Sequence, residues 1–188
     1  MSEPASDPIE QQEVVKEPKG PKKTGYVLLL LASILSLALC AGGTGSAAFS
    51  NKDTTECVTL WGYRQVCYAA QPGTAGDWGP ICVGRQEPLQ AASVFAIMSL
   101  DLILTTLIIT IVALCGKPLK ILSVVFGVVT ATFICTTWGL VAFVATRDTC
   151  GTDIGGMLGA AWQYGPMFPL FVVSFIIMTL ATFFNALY

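Results

Sequence analysis

Four long apolar runs constrain this chain more than any other feature: residues 25–48, 89–115, 121–146 and 167–188. Each reaches the ~20 residues that a helix needs to cross a hydrocarbon core of about 30 Å. Three of the runs contain no Lys, Arg, Asp or Glu, and the fourth contains only Asp101. A helix of this length buried in a soluble domain carries a polar face, and these do not. Composition agrees, with 12% charged residues and a mean hydropathy of +0.68; soluble domains are about 25% charged. The expected fold is therefore membrane all-α, a bundle of four transmembrane helices.

The first run is longer than the ~7–15 residues of a secretory signal core. "LALCAGG" has a lipoprotein-like look, but Leu39 is too large for the residue before such a cleaved cysteine, so the run is expected to stay as an uncleaved anchor. Residues 1–24 hold four prolines, five acids and four lysines, with Ile9, Val14 and Val15 as the only large apolar residues. That leaves too little to bury to offset the entropy of ordering, so a disordered tail is expected. The connections are unequal: a long loop at 49–88, a tight turn at 116–120 (GKPLK) and a second loop at 147–166.

Basic residues favour the cytoplasmic side. The tail and tight turn carry Lys16, Lys19, Lys22, Lys23, Lys117 and Lys120, against Lys52, Arg64, Arg85 and Arg147 in the two loops. Cys57, Cys67, Cys82 and Cys150 all lie in those loops, and an even set on one face fits an oxidising exterior. Both observations point to a multi-pass plasma-membrane protein with cytoplasmic termini and extracellular loops. Cys40, Cys115 and Cys135 fall within or at the ends of helices, as small apolar fillers.

Residues 56–70 (ECVTLWGYRQVCYAA) are rich in β-branched and aromatic residues and free of proline, which suits a strand. QPGTAGDWGP follows as a turn, and ICVGR reads as the returning strand. The loop is thus expected to hold a small disulfide-braced β-sheet. A hairpin about that turn favours the pairs Cys67–Cys82 and Cys57–Cys150. The alternative, Cys57–Cys67 with Cys82–Cys150, requires a second turn at Gly62, because a straight strand would hold Cys57 and Cys67 roughly 33 Å apart.

Catalytic and cofactor chemistry lack the residues they need. The chain has no histidine, the commonest general base and transition-metal ligand. The loop cysteines have neither the CxxC spacing of zinc sites nor that of thiol-redox sites. No nucleophile–base pair is visible, so no catalytic, cofactor-binding or metal-binding residue is expected. No basic patch interleaved with aromatics points to nucleic acid. The only asparagines, Asn51 and Asn185, stand in no Asn-X-Ser/Thr sequon, so N-glycosylation is not expected.

The stretch CVTLWGYRQVC resembles the signature of the amastins, four-helix surface proteins of trypanosomatid parasites. Cys57, Val58, Thr59, Leu60, Trp61, Gly62, Arg64 and Cys67 match it, and Val66 departs where the family usually has Asp, Glu, Asn or Thr. The long first loop, the short turn and the four helices extend the resemblance over nearly the whole chain beyond the tail. The architecture is also similar to the claudin superfamily, whose first outer loop carries an LW pair before two disulfide-bonded cysteines; Leu60, Trp61, Cys67 and Cys82 echo that order. The resemblance implies surface exposure and a role in membrane integrity or host contact.

Two further features concern the helices. Asp101 lies near the middle of its run, where a carboxyl costs about 2.5–3.5 kcal/mol on insertion scales and marks a functional candidate. It is expected to be neutral and hydrogen-bonded within the bundle, with Ser93 and Thr105 on its face and Thr130, Thr136 or Thr137 of the third helix as partners. Stripes of small residues (Ser33, Ser36, Cys40, Gly43 and Ala47; Ser123, Gly127, Thr130 and Thr137) allow close helix approach in lipid and are read as the bundle's own core. Together these readings describe a non-enzymatic surface membrane protein. Its outer loop, with Trp61, Tyr63 and Arg64, would contact host or neighbouring-membrane proteins or another copy, and the bilayer is its other partner. The alternatives are a transporter or channel subunit that uses Asp101, and an accessory subunit of a membrane complex.

Overall fold

The structure, a computed structural model, describes residues 24–67, 78, 81–116, 119–147, 150 and 162–187. The expected tail and most of the QPGTAGDWGP turn lie outside the described residues. Four helices form where apolarity demands them: α1 (Thr24–Gly45), α2 (Val83–Leu114), α3 (Lys120–Thr146) and α4 (Met167–Leu187). All four are long and apolar enough to cross a membrane. At 1.5 Å per residue even the shortest is about 32 Å long. The tight connection after Leu114 makes α2 and α3 antiparallel neighbours. The helices close into a ring, in which α1 and α3 each pack against both α2 and α4.

The distribution of polarity is inverted relative to a soluble bundle. Ser33, Ser36, Ser99, Thr106, Ser123, Thr130, Thr137 and Ser174 are fully buried, while Ile108 and Ile121 are 60% and 82% exposed. Hydroxyls inside a membrane bundle find partners on their own helix or the next, and apolar side chains face lipid. Ser33 donates to Leu29 O at 2.8 Å and Thr137 to Phe133 O at 3.0 Å. Between helices, Thr106 meets Thr130 at 3.0 Å, Cys40 meets Ser174 at 3.2 Å, and Asn185 Nδ2 donates to Ser123 Oγ at 2.9 Å. The small-residue stripes lie in this interior, except for Ala47, which belongs to the sheet described next. A Cβ on Gly43 would stand 2.6 Å from the Phe171 ring, and one on Gly127 would collide with the Thr182 hydroxyl.

A four-stranded sheet caps one end of the bundle, with β1 at Ala47–Asn51, β2 at Cys57–Thr59, β3 at Gly62–Arg64 and β4 at Trp162–Tyr164. The order is β3-β2-β1-β4, antiparallel throughout. The expected sheet is present, but its strands differ from the expected ones. Residues 81–85 do not return as a strand: α2 begins at Val83 and carries Pro88 within it. A proline this close to a helix start removes only one early hydrogen bond. The returning strand is β3. The first helix, expected to run to residue 48, ends at Gly45. There Ser46 N–H bonds to Gly43 O at 3.0 Å and Ser46 Oγ donates to Gly42 O at 2.7 Å. The chain then enters β1 directly, so an apolar segment expected in the first helix lies in the sheet. The second loop also contributes, since Phe49 pairs with Tyr164 and Asn51 with Trp162.

Candidate functional site

The hairpin β2–β3 is built from the sequence signature. Thr59 pairs with Gly62, leaving Leu60 and Trp61 as a two-residue turn. Gly62 sits at φ +146°, a backbone region that side chains disfavour. The Thr59 hydroxyl donates to Gly62 O at 3.0 Å and accepts from Trp61 N–H at 3.2 Å, so one side chain closes the turn from both sides. Leu60 is fully buried. The Trp61 indole N–H reaches out of the hairpin to Thr44 O at 2.8 Å, satisfying a carbonyl in the last turn of α1. The four central signature residues thus have separate structural roles. Thr59 closes the turn, Leu60 anchors it in the core, Trp61 links it to the helix and Gly62 supplies the positive φ.

The fold at Leu60–Trp61 also decides the disulfides. Cys57 bonds to Cys67 with Cα atoms 5.5 Å apart, and Cys82 bonds to Cys150 with Cα atoms 6.1 Å apart. The favoured pairs Cys67–Cys82 and Cys57–Cys150 are therefore incorrect. They assumed one straight strand from Glu56 onward, whereas Gly62 lets the chain reverse five residues after Cys57. The ladder continues past the strand ends, where Cys67 N–H bonds to Thr55 O at 3.0 Å.

Beyond the turn, β3 forms one edge of the sheet. Tyr63 and Arg64 are half-buried, Gln65 is exposed, and Val66 is 49% exposed. Tyr63 also bonds to Glu56, which helps hold the Glu56 carboxyl below its usual range. Burial, with the nearby carboxylate adding to it, pushes the Tyr63 phenol up to about 12. At the opposite edge Tyr164 stacks on Phe168 with ring centroids 4.2 Å apart and lies 5.9 Å from the Phe49 ring. The Tyr164 phenol is also raised by burial.

The sequence profile of the family described as "Amastin surface glycoprotein" matches residues 24–184. The chain belongs to the amastin family. No curated protein matches it. Amastin membership and four spanning helices together make this a multi-pass membrane protein. The amastin profile covers α1 to α3, the whole sheet and α4 as far as Phe184.

Asp101 does not occupy the place expected of it. Its residue is exposed, on the side of α2 that turns away from the ring, whereas Ile103, Thr106 and Thr110 face inward. Thr105, half-buried one turn on, donates its hydroxyl to the Asp101 backbone carbonyl at 2.9 Å and not to the carboxyl. The expected bond across to the third helix is made instead by Thr106, with Thr130. Thr136 bonds to its own helix, at Thr132 O. Sequence spacing placed Asp101 and Thr105 on one face, but it could not say which face the ring covers. The sequence did not single out Thr44, whose carbonyl receives Trp61, or Asn185 as the partner of Ser123. Their only sequence signal is that polar groups in spanning helices need partners.

Proposed function

We propose that this amastin-family protein acts without catalysis at the plasma membrane, as a structural and contact protein. Its termini lie in the cytoplasm and its sheet faces outward. The observation that carries this reading is the sheet itself. Its strands are tied to one another, to α1 through Trp61 and to α4 through β4, and both disulfides lie at that end of the bundle. Disulfides of this kind persist in oxidising surroundings. Lys120 opens α3 at the other end, and the sequence puts more basic residues in the tail and tight turn than in the two loops, which supports the same orientation. The contact surface is the β3 edge, where a strand edge unpaired among the described residues, Tyr63, Arg64 and an exposed valine combine backbone hydrogen-bonding groups with aromatic, cationic and apolar contact. A transport reading would need Asp101 to line a passage through the bundle, and its outward position does not support one.

The test is a variant carrying Tyr63→Ala, Arg64→Ala and Val66→Asp on the full chain. These side chains lie outside the turn and the disulfide, so surface delivery and the Cys57–Cys67 bond should be retained. Adhesion of cells displaying it to partner membranes, scored against the parent chain at equal surface density, should fall. Equal adhesion at equal density would overturn the contact reading.

A further inference from the structure

The exposed hydroxyls of Thr132 and Thr179 are satisfied by carbonyls of their own helices, but one ionisable side chain also stands exposed far from any helix end, Asp101. It stands 13 residues before Leu114, the last residue of α2, which is about 20 Å along the helix from the tight-turn end. That depth lies inside a hydrocarbon layer of about 30 Å. Long Lys and Arg side chains can snorkel to an interface, but the short aspartate cannot. Ionisable residues at such depth face a bundle interior, a wet cavity or a partner. Here the bundle interior is on the other side of the helix. The only Lys or Arg residues in the four helices are Arg85 and Lys120, both at helix ends, and the chain has no histidine. Among the described residues, no cation of the same chain stands at the depth of Asp101.

The surroundings of Asp101 form a seam. Val94, Asp101 and Ile108 follow each other at seven-residue spacing; Val94 is 54% exposed and Ile108 60%. Ile97 and Leu104 stand between them and are also exposed. A 3-4-3-4 spacing is the pattern by which two helices remain in register along a left-handed crossing, and a single polar residue in such a seam fixes the register.

We propose that this face of α2 docks against the same face of a second copy of the chain, about a two-fold axis along the membrane normal. Asp101 then meets Asp101 of the second copy. Copies inserted with the same topology present Asp101 at the same depth without further adjustment. When it carries its proton, a carboxyl both donates and accepts, so a pair in that form is self-complementary and buries no net charge. Two-fold pairing is also the commonest form of self-assembly. Val94 and Ile108 pack against their own counterparts above and below the acid pair.

The experiment uses the full chain with Cys115→Ser, tagged at its N-terminus with donor or acceptor fluorophores and reconstituted in phosphatidylcholine vesicles. Energy transfer should show association of the parent chain. Asp101→Leu should raise the dissociation constant about tenfold or more, in line with what interhelical polar contacts contribute in membranes. Asp101→Asn should stay near the parent, because an amide also donates and accepts. Under mild oxidant, Ile108→Cys should cross-link between copies and Val173→Cys, on exposed α4, should not. Retention of the Cys57–Cys67 and Cys82–Cys150 bonds in each variant reports that the fold is intact. A parent chain that remains monomeric would overturn the proposal, as would an Asp101→Leu chain that associates as tightly as the parent. A parent chain that stays monomeric alone and captures only a leucine-rich helix with a central lysine would overturn it in favour of a cationic partner.

Discussion

Thr59 carries two hydrogen bonds with one hydroxyl, and both close the turn that brings Cys57 back to Cys67. Thr59→Val keeps the shape and leaves the Gly62 carbonyl and Trp61 amide without that partner. A loss of about 1–3 kcal/mol in hairpin stability is expected, while Thr59→Ser is close to neutral. Faster reduction of the Cys57–Cys67 bond in Thr59→Val than in Thr59→Ser checks this. Gly62→Ala is expected to have a similar effect for a different reason, since φ +146° strains any side chain by about 1–3 kcal/mol. The neighbouring Glu56–Tyr63 pair gives the sheet a pH window. The Glu56 carboxyl is lowered from 4.5, so its contribution is present above that value and is lost as pH falls through the lowered one. Tyr63 is raised from 10.0 to about 12, so its contribution is present below 10.0 and is lost as pH rises through about 12. In ultraviolet titration, Tyr63→Phe should remove the ionisation step near pH 12, and Glu56→Gln should move that step downward. A step unmoved by Glu56→Gln would show that the pair does not form.

At the level of elements, close helix approach is concentrated at particular glycines. Gly127 lies where any Cβ would meet Thr182, whereas Gly139 on the same helix has open space around its Cβ position. Gly127→Ala should therefore force α3 from α4 and destabilise by about 1–3 kcal/mol. Gly139→Ala should instead gain up to about 1 kcal/mol from helix propensity. Unfolding in mixed micelles by increasing denaturing detergent compares the two; equal shifts would remove the packing argument. The helices themselves were legible because twenty-residue apolar runs have few other solutions. Their ends were less so. The first run continues through Ala47 and Ala48, which are as apolar as a helix but lie in β1, and apolarity does not separate the two. The strand at Trp162–Tyr164 was hidden because its partner, Phe49 to Asn51, is over a hundred residues away in sequence. The signature residues could be recognised as a family mark from sequence, but their roles as turn and clamp depend on contacts with Thr44 and on the Gly62 backbone. Asp101 stood out by its chemistry, while its facing depended on how four helices close into a ring.

Taken as a whole, the molecule is two helix pairs, each closed at the sheet end by its own device. The α1–α4 pair is joined there by pairing of β1, which follows α1, with β4, which precedes α4. The α2–α3 pair is joined by the Cys82–Cys150 bond, between the residue that opens α2 and one just beyond α3. The Cys57–Cys67 bond belongs to the first device, since it lies within the sheet, and Trp61 carries that sheet onto α1. The two disulfides should consequently fail separately. In the full chain in nanodiscs, Cys82→Ser with Cys150→Ser should raise amide exchange in the first turns of α2 and leave β1 and β2 protected. Cys57→Ser with Cys67→Ser should raise exchange in β2 and β3 and leave the start of α2 protected, because local opening follows the contacts that are removed. The Ala47–Asn51 strand should respond least, as it is held on both sides by β2 and β4. If either pair of substitutions raised exchange equally at both places, the sheet and the α2–α3 clasp would be one cooperative unit, and the division into two devices would be wrong.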